Sequence, residues 1–142
     1  MKRRDSLLRL KRFRVDELKR RLATLDEMKA DLDRKLADLD ESVAREKQRA
    51  SDSDIGRLAF PSFLQSIDVR RKNIRNTMAD LERERAAQQD ELAAAFQDLK
   101  SFEVAEEERL RRASEAESRA AQSRIDEIAI VRHLRKHAAR QA

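Results

Sequence analysis

Cysteine is absent, which excludes a disulfide framework and any thiolate-ligated metal. Tryptophan and tyrosine are absent too, and aromatic residues make up 4% of the chain. That is too little for a conventional globular core, because aromatic side chains supply the largest buried areas. A single glycine, Gly56, leaves no glycine-rich loop to cradle a phosphate. No apolar run approaches the roughly 20 residues that span a bilayer. The opening "MKRRDSLLRLKRF" starts as basic as a signal peptide, but Arg9, Lys11 and Arg12 interrupt the apolar segment such a peptide needs. The expectation is a soluble, cytoplasmic protein without a cofactor and without enzymatic activity.

What remains is mostly charge and short aliphatics: 43% Asp, Glu, Lys and Arg within 142 residues. Such a composition belongs to long helices or to disorder, and periodicity separates the two. Leu8, Val15, Leu22, Leu36 and Val43 fall seven or fourteen apart. Leu18, Leu25, Leu32 and Leu39 fill a second register three residues on. These alternating steps of three and four are the apolar seam of a coiled coil, with Lys11, Lys29 and Glu46 as polar exceptions. The pattern restarts at Phe60 and runs through Leu64, Ile67, Ile74, Met78, Leu81, Leu92, Ala95, Leu99 and Phe102, interrupted by Arg71, Arg85 and Gln88.

Between the two runs lies "ASDSDIGRLAFPSF", which holds the only glycine and the only proline. Ser and Asp at 51 to 54 favour turns and caps, and Pro61 disfavours a helix already in progress. Ser62 and Gln65 have capping-box spacing. The segment therefore predicts a hairpin tip: a first helix over about residues 3–50, a loop over about 51–60, and a second helix over about 62–138.

An antiparallel register follows from the seam. If Ala50 faces Phe60, facing residues have numbers that add to 110, and Val43 meets Ile67, Leu36 meets Ile74, Leu18 meets Leu92 and Leu8 meets Phe102. Lys29 against Leu81 and Leu39 against Arg71 are its weak points, tolerable where a long stem carries its charge outward. Charge agrees: residues 1–21 carry ten Lys or Arg against three acids, and residues 90–108 carry seven acids against one lysine. The fold expected is all-α, an antiparallel two-helix coiled-coil hairpin forming a single elongated unit over 1–142, with an overhanging longer second helix.

Beyond about Glu106 the leucine stripe stops. Glu107–Arg111, Glu108–Arg112 and Glu115–Arg119 are acid-first pairs four apart, a spacing that supports an isolated helix. Ile125, Ile128, Val131 and Leu134 then form a short apolar stripe before the basic "RKHAAR". His133 and His137 share a helix face at metal-ligand spacing, but no carboxylate beside them completes a site, and no metal is expected. The basic ends raise nucleic acid as a partner. Single-strand binding also wants stacking aromatics, and only Phe13 lies among the charges, so no nucleic acid is expected.

The block "SLLRLKRFRVDELKRRLATLDEM", the tip "FPSF" and the Ala/Glu/Arg-rich second helix resemble the FliJ family of bacterial flagellar export proteins. The resemblance implies a non-catalytic coiled coil similar to the central stalk of a rotary ATPase. It implies three partners: a hexameric export ATPase that receives the stalk in its ring, a membrane-embedded export gate, and export chaperones. Membrane association would then be peripheral, at the cytoplasmic face of the inner membrane, and only through those partners. On this reading Arg9, Lys11, Arg12 and Arg14, with Arg132, Arg135 and Lys136, engage the ATPase, and Phe60 and Phe63 engage the gate. The stalk of an injection-type secretion system is the alternative, and a generic structural or nucleic-acid-associated coiled coil is another.

Overall fold

The computed structural model describes residues Lys2–Gln141. They form two helices, α1 over Lys2–Asp52 and α2 over Asp54–Gln141, and the described residues contain no strand. The all-α expectation holds. By their internal contacts, residues divide into one compact unit ending at Gln97 and a second beginning at Asp98.

The first unit is an antiparallel hairpin of α1 and the first half of α2. Ion pairs cross it: Lys29 with Glu82 at 3.9 Å, Arg71 with Asp40 at 2.5 Å, Arg85 with Asp26 at 2.7 Å, and Arg14 with Glu91 at 3.3 Å. In the first three the residue numbers add to 111, one away from the register read from the seam, and in the last to 105. Burial follows the same seam. Val15, Leu18, Leu25 and Ala50 of α1 are buried, as are Ile67 and Leu81 of α2, with Leu18 at 0% and Ile67 at 1% exposure. Leu22, Leu32, Leu36, Leu39 and Val43 are half-buried between them, as a two-helix unit dictates, since neither helix can be covered on more than one side. Each fully buried Leu-sized side chain contributes roughly 1.5–3 kcal/mol, and this apolar burial outweighs exposed ion pairs worth about 0.2–1 kcal/mol each.

The tip differs from expectation. Residues 51–60 do not form a loop: Ser53 alone separates the helices, and α2 begins at Asp54 rather than near Ser62. Ser53, not Ser62, is the cap. Its hydroxyl accepts the Gly56 amide at 3.0 Å, and its carbonyl accepts the Arg57 amide at 3.2 Å, the first bond of α2. The end of α1 is closed from across the junction, where Arg57 Nε donates to the Ala50 carbonyl at 3.3 Å. Pro61 lies two turns inside α2 and denies the Arg57 carbonyl its helical donor, a change worth about 3 kcal/mol in an isolated helix. Packing overrides that preference here, because Phe60, Phe63, Leu64 and Ile67 bury against α1 only if α2 is already helical when it reaches them.

In the second unit α2 continues to Gln141. Leu99, Phe102, Glu103, Glu106, Glu108 and Arg109 are half-buried, and from Leu110 to Gln141 every residue but Ala121 is exposed. Its helix is supported by pairs along its own surface. The predicted Glu108–Arg112 pair forms at 3.1 Å, while Arg111, expected to hold Glu107, holds Glu108 at 2.6 Å and reaches Glu115 at 4.0 Å.

Candidate functional site

Three surfaces carry the residues singled out in the sequence. On the first unit, Arg9, Arg12 and Arg14 are exposed on α1 and Lys11 is half-buried. Lys11 occupies a seam position, which explains its burial. Arg14 reaches Glu91 across the hairpin at 3.3 Å and Glu17 along its own helix at 3.5 Å. Part of this basic cluster is therefore engaged within the hairpin, as the acidic composition of residues 90–108 leads one to expect.

On the second unit, Arg132, Arg135 and Lys136 are exposed. They border a shallow groove of ≈ 600 Å³ floored by Ile125, Ile128 and Ala129. His133 and His137 stack with ring centroids 6.4 Å apart and planes 13° from parallel. The Gln141 side chain lies 3.4 Å from His137 Nε2. No cluster of three or more His, Cys, Asp or Glu able to hold a metal occurs among the described residues.

At the tip, Phe60 and Phe63 are half-buried. The side chains that meet solvent there are Ile55 and Leu58, each 82% exposed. They stand three apart in the first turns of α2, on one face of it. Sequence reasoning missed them because residues 51–60 read as a loop, and in a loop their spacing carries no meaning. Recognising Ser53 as the cap of α2 would have turned Ile55 and Leu58 into an apolar pair on a helix.

Along the seam, the polar intrusions have distinct fates. Arg71, with a side chain 22% exposed, holds Asp40 and also Asp68 at 3.4 Å. Arg85 donates to Asp26, and that hydrogen bond and charge push its guanidinium above its ordinary value. Gln88 lacks such an outlet: its Oε1 is buried without a hydrogen-bond donor, beside a groove lined by Leu25, Met28 and Glu84. In the second unit, Glu108 is held below its ordinary value by the hydrogen bond from Arg111, with Arg112 adding to it against partial desolvation.

No helix among the described residues is long and apolar enough to cross a membrane. The fold so far defines a helical-hairpin scaffold whose exposed features are charged and apolar contact surfaces. A family model described as the flagellar FliJ protein matches residues 1–138. The chain belongs to the FliJ family, and is thereby a component of flagellar export. No curated protein and no solved structure matches it significantly.

Proposed function

We propose that this chain is the non-catalytic stalk of the flagellar export apparatus, seated in the ring of the hexameric export ATPase and working in the cytoplasm at the inner-membrane face. The observation that carries the reading is the family match over nearly the whole chain, joined to an antiparallel hairpin tied by cross-pairs from Lys29, Arg71 and Arg85. A stalk has to be stiff along its length and asymmetric in its charge, so that it biases the subunits of a ring unequally. The hairpin supplies stiffness through its continuous seam, and the basic clusters at Arg9, Lys11, Arg12 and Arg14 and at Arg132, Arg135 and Lys136 supply positive charge with which to engage the ring.

The membrane export gate and the export chaperones are the further partners. Gate contact belongs to the tip, with Ile55 and Leu58 as its exposed apolar residues and Phe60 and Phe63 beneath them. The test is stimulation of the purified hexameric ATPase by the purified chain. Reversing the charge at Arg9, Arg12 and Arg14 lowers stimulation at unchanged helicity on this reading. Undiminished stimulation by a helical variant would remove the N-terminal cluster from the ATPase contact.

A further inference from the structure

The start of α1, through Phe13, carries a second apolar stripe that the seam does not use. Leu8, Lys11, Val15 and Leu18 turn into the hairpin, the last two buried. Leu7, Leu10 and Phe13, at steps of three, stand outside it with 45%, 63% and 58% exposure. Lys2 and Arg3 border a groove of ≈ 440 Å³ along Leu7 and Leu10. Residues 2–14 contain seven Lys or Arg and one acid, Asp5, a net charge of +6 in sequence, and Arg14 among them is also paired with Glu91 of α2 at 3.3 Å. Past the stripe come Asp16 and Glu17, of which Glu17 pairs with Arg21 at 2.7 Å and Arg14 at 3.5 Å. Arg20 stacks its guanidinium 5.8 Å from the Phe13 ring, so even the end of the stripe is flanked by cation.

From this arrangement we infer that the start of α1 binds the surface of an anionic lipid bilayer directly, with Leu7, Leu10 and Phe13 dipping into the headgroup boundary. A helix with an apolar face edged by Lys and Arg lies in the interface plane, and its binding adds apolar burial to attraction for anionic headgroups. Each Lys or Arg near such a surface contributes about 1 kcal/mol at moderate salt. Two turns of apolar face are too little to hold a neutral membrane, so both contributions are required. The charge pattern selects lipid over an acidic protein helix: the cations lie on both flanks of a short stripe and on the remaining surface, which suits a continuous negative plane. This contact is separate from the ATPase reading and does not rest on it.

The absence of tryptophan and tyrosine makes a direct experiment possible. Phe13→Trp places a single fluorophore in the stripe, and Ile125→Trp places one on the second unit as a control. Each full-length chain is mixed with vesicles of phosphatidylcholine containing about one quarter phosphatidylglycerol, and with phosphatidylcholine alone. The expected result is a blue shift of the Phe13→Trp emission with the anionic vesicles only, weakened by added salt, and none for Ile125→Trp. In sedimentation with the same vesicles, the triple variant Leu7→Ser, Leu10→Ser, Phe13→Ser binds at least about tenfold more weakly than the parent, while its helicity is retained because none of the three is in the seam. Sedimentation without a blue shift at position 13, or equal binding by the triple variant, shows electrostatic adsorption alone and overturns the inference. So does an absence of vesicle binding. ATPase stimulation by the triple variant, measured without lipid, reports separately on the stalk reading.

Discussion

The Gly56 amide donates to the Ser53 hydroxyl at 3.0 Å, and the same glycine has no room for a side chain. A Cβ built on Gly56 would lie 2.9 Å from Ser53 Oγ, 3.0 Å from the Arg49 carbonyl oxygen and 3.1 Å from Ala50 Cα. Two of these neighbours are backbone and cannot swing aside. Glycine is there to let the first turn of α2 close on the last turn of α1, with no positive φ involved. Alanine is the better helix former by about 1 kcal/mol, so propensity alone predicts that Gly56→Ala stabilises. The close approach predicts the opposite: a loss of about 1–3 kcal/mol, read as a lower midpoint in urea. Ser53→Ala, which removes only the cap, should cost about 1 kcal/mol.

The seam predicts an uneven response to truncation. Leu18 and Ile67 are essentially without exposure, and replacing either with alanine should cost about 2–5 kcal/mol. Leu134, at 60% exposure, should tolerate the same change within about 0.5 kcal/mol. Thermal melts followed by circular dichroism measure all three. Equal losses at Ile67 and Leu134 would mean that the buried stripe is misassigned.

The hairpin was legible in the sequence because one physical effect dominates it. Apolar residues at steps of three and four must find a partner surface, and only folding at 51–60 matches Leu18, Leu36 and Val43 to apolar residues of α2. The junction was not legible, because there the signals conflict. Ser, Asp, Gly and Pro each favour a turn when considered alone, yet Ser53 caps, Gly56 permits a close approach, and Pro61 is carried by the packing of its neighbours. Local preference loses to tertiary contact at each of the last two. Of the site residues, the basic clusters were visible as charge runs. Ile55 and Leu58 were hidden because their shared face exists only once residues 54–60 are known to be helical.

Polar residues in the seam should not behave alike. Gln88 Oε1 is buried with no donor, so Gln88→Leu removes an unsatisfied acceptor and adds apolar area, and should stabilise by about 1 kcal/mol. Arg71 keeps its charge paired with Asp40 and Asp68 while its stem covers the seam. Arg71→Ala should therefore destabilise by about 1–2 kcal/mol, more than Asp40→Ala, whose side chain is 69% exposed. Chemical denaturation of the three variants ranks them, and destabilisation by Gln88→Leu would show that the amide has a partner in solution.

Acid should loosen the second unit through Glu108. Its carboxylate is held below the ordinary value of 4.5 by hydrogen bonds from Arg111 and Arg112, so the folded helix favours the ionised form. The sign follows: the contribution is fully present above the ordinary value and is lost as pH falls through 4.5 and below. Thermal midpoints measured between neutral pH and pH ~3 should fall on the acid side, and Glu108→Gln should flatten part of that fall while leaving the neutral-pH side sloped as before. An unchanged acid-side slope in Glu108→Gln would place the titration elsewhere.

The tip separates stability from contact. Phe60 and Phe63 are half-buried in the hairpin, whereas Ile55 and Leu58 are 82% exposed and cover nothing. Ile55→Ser with Leu58→Ser should therefore leave the thermal midpoint nearly unchanged and still weaken binding to the soluble part of the export gate by about a hundredfold or more, since burying two aliphatics contributes roughly 3–6 kcal/mol. Phe60→Ala with Phe63→Ala should do the reverse at first measurement, lowering the midpoint by several degrees because half-buried aromatics are removed next to the junction. Their effect on gate binding, if any, should vanish at a temperature where the variant is fully helical. Gate affinity that survives the loss of Ile55 and Leu58 but falls with Phe60 and Phe63 in a folded variant would return the contact to the phenylalanines, and would require the hairpin end to open when the gate binds.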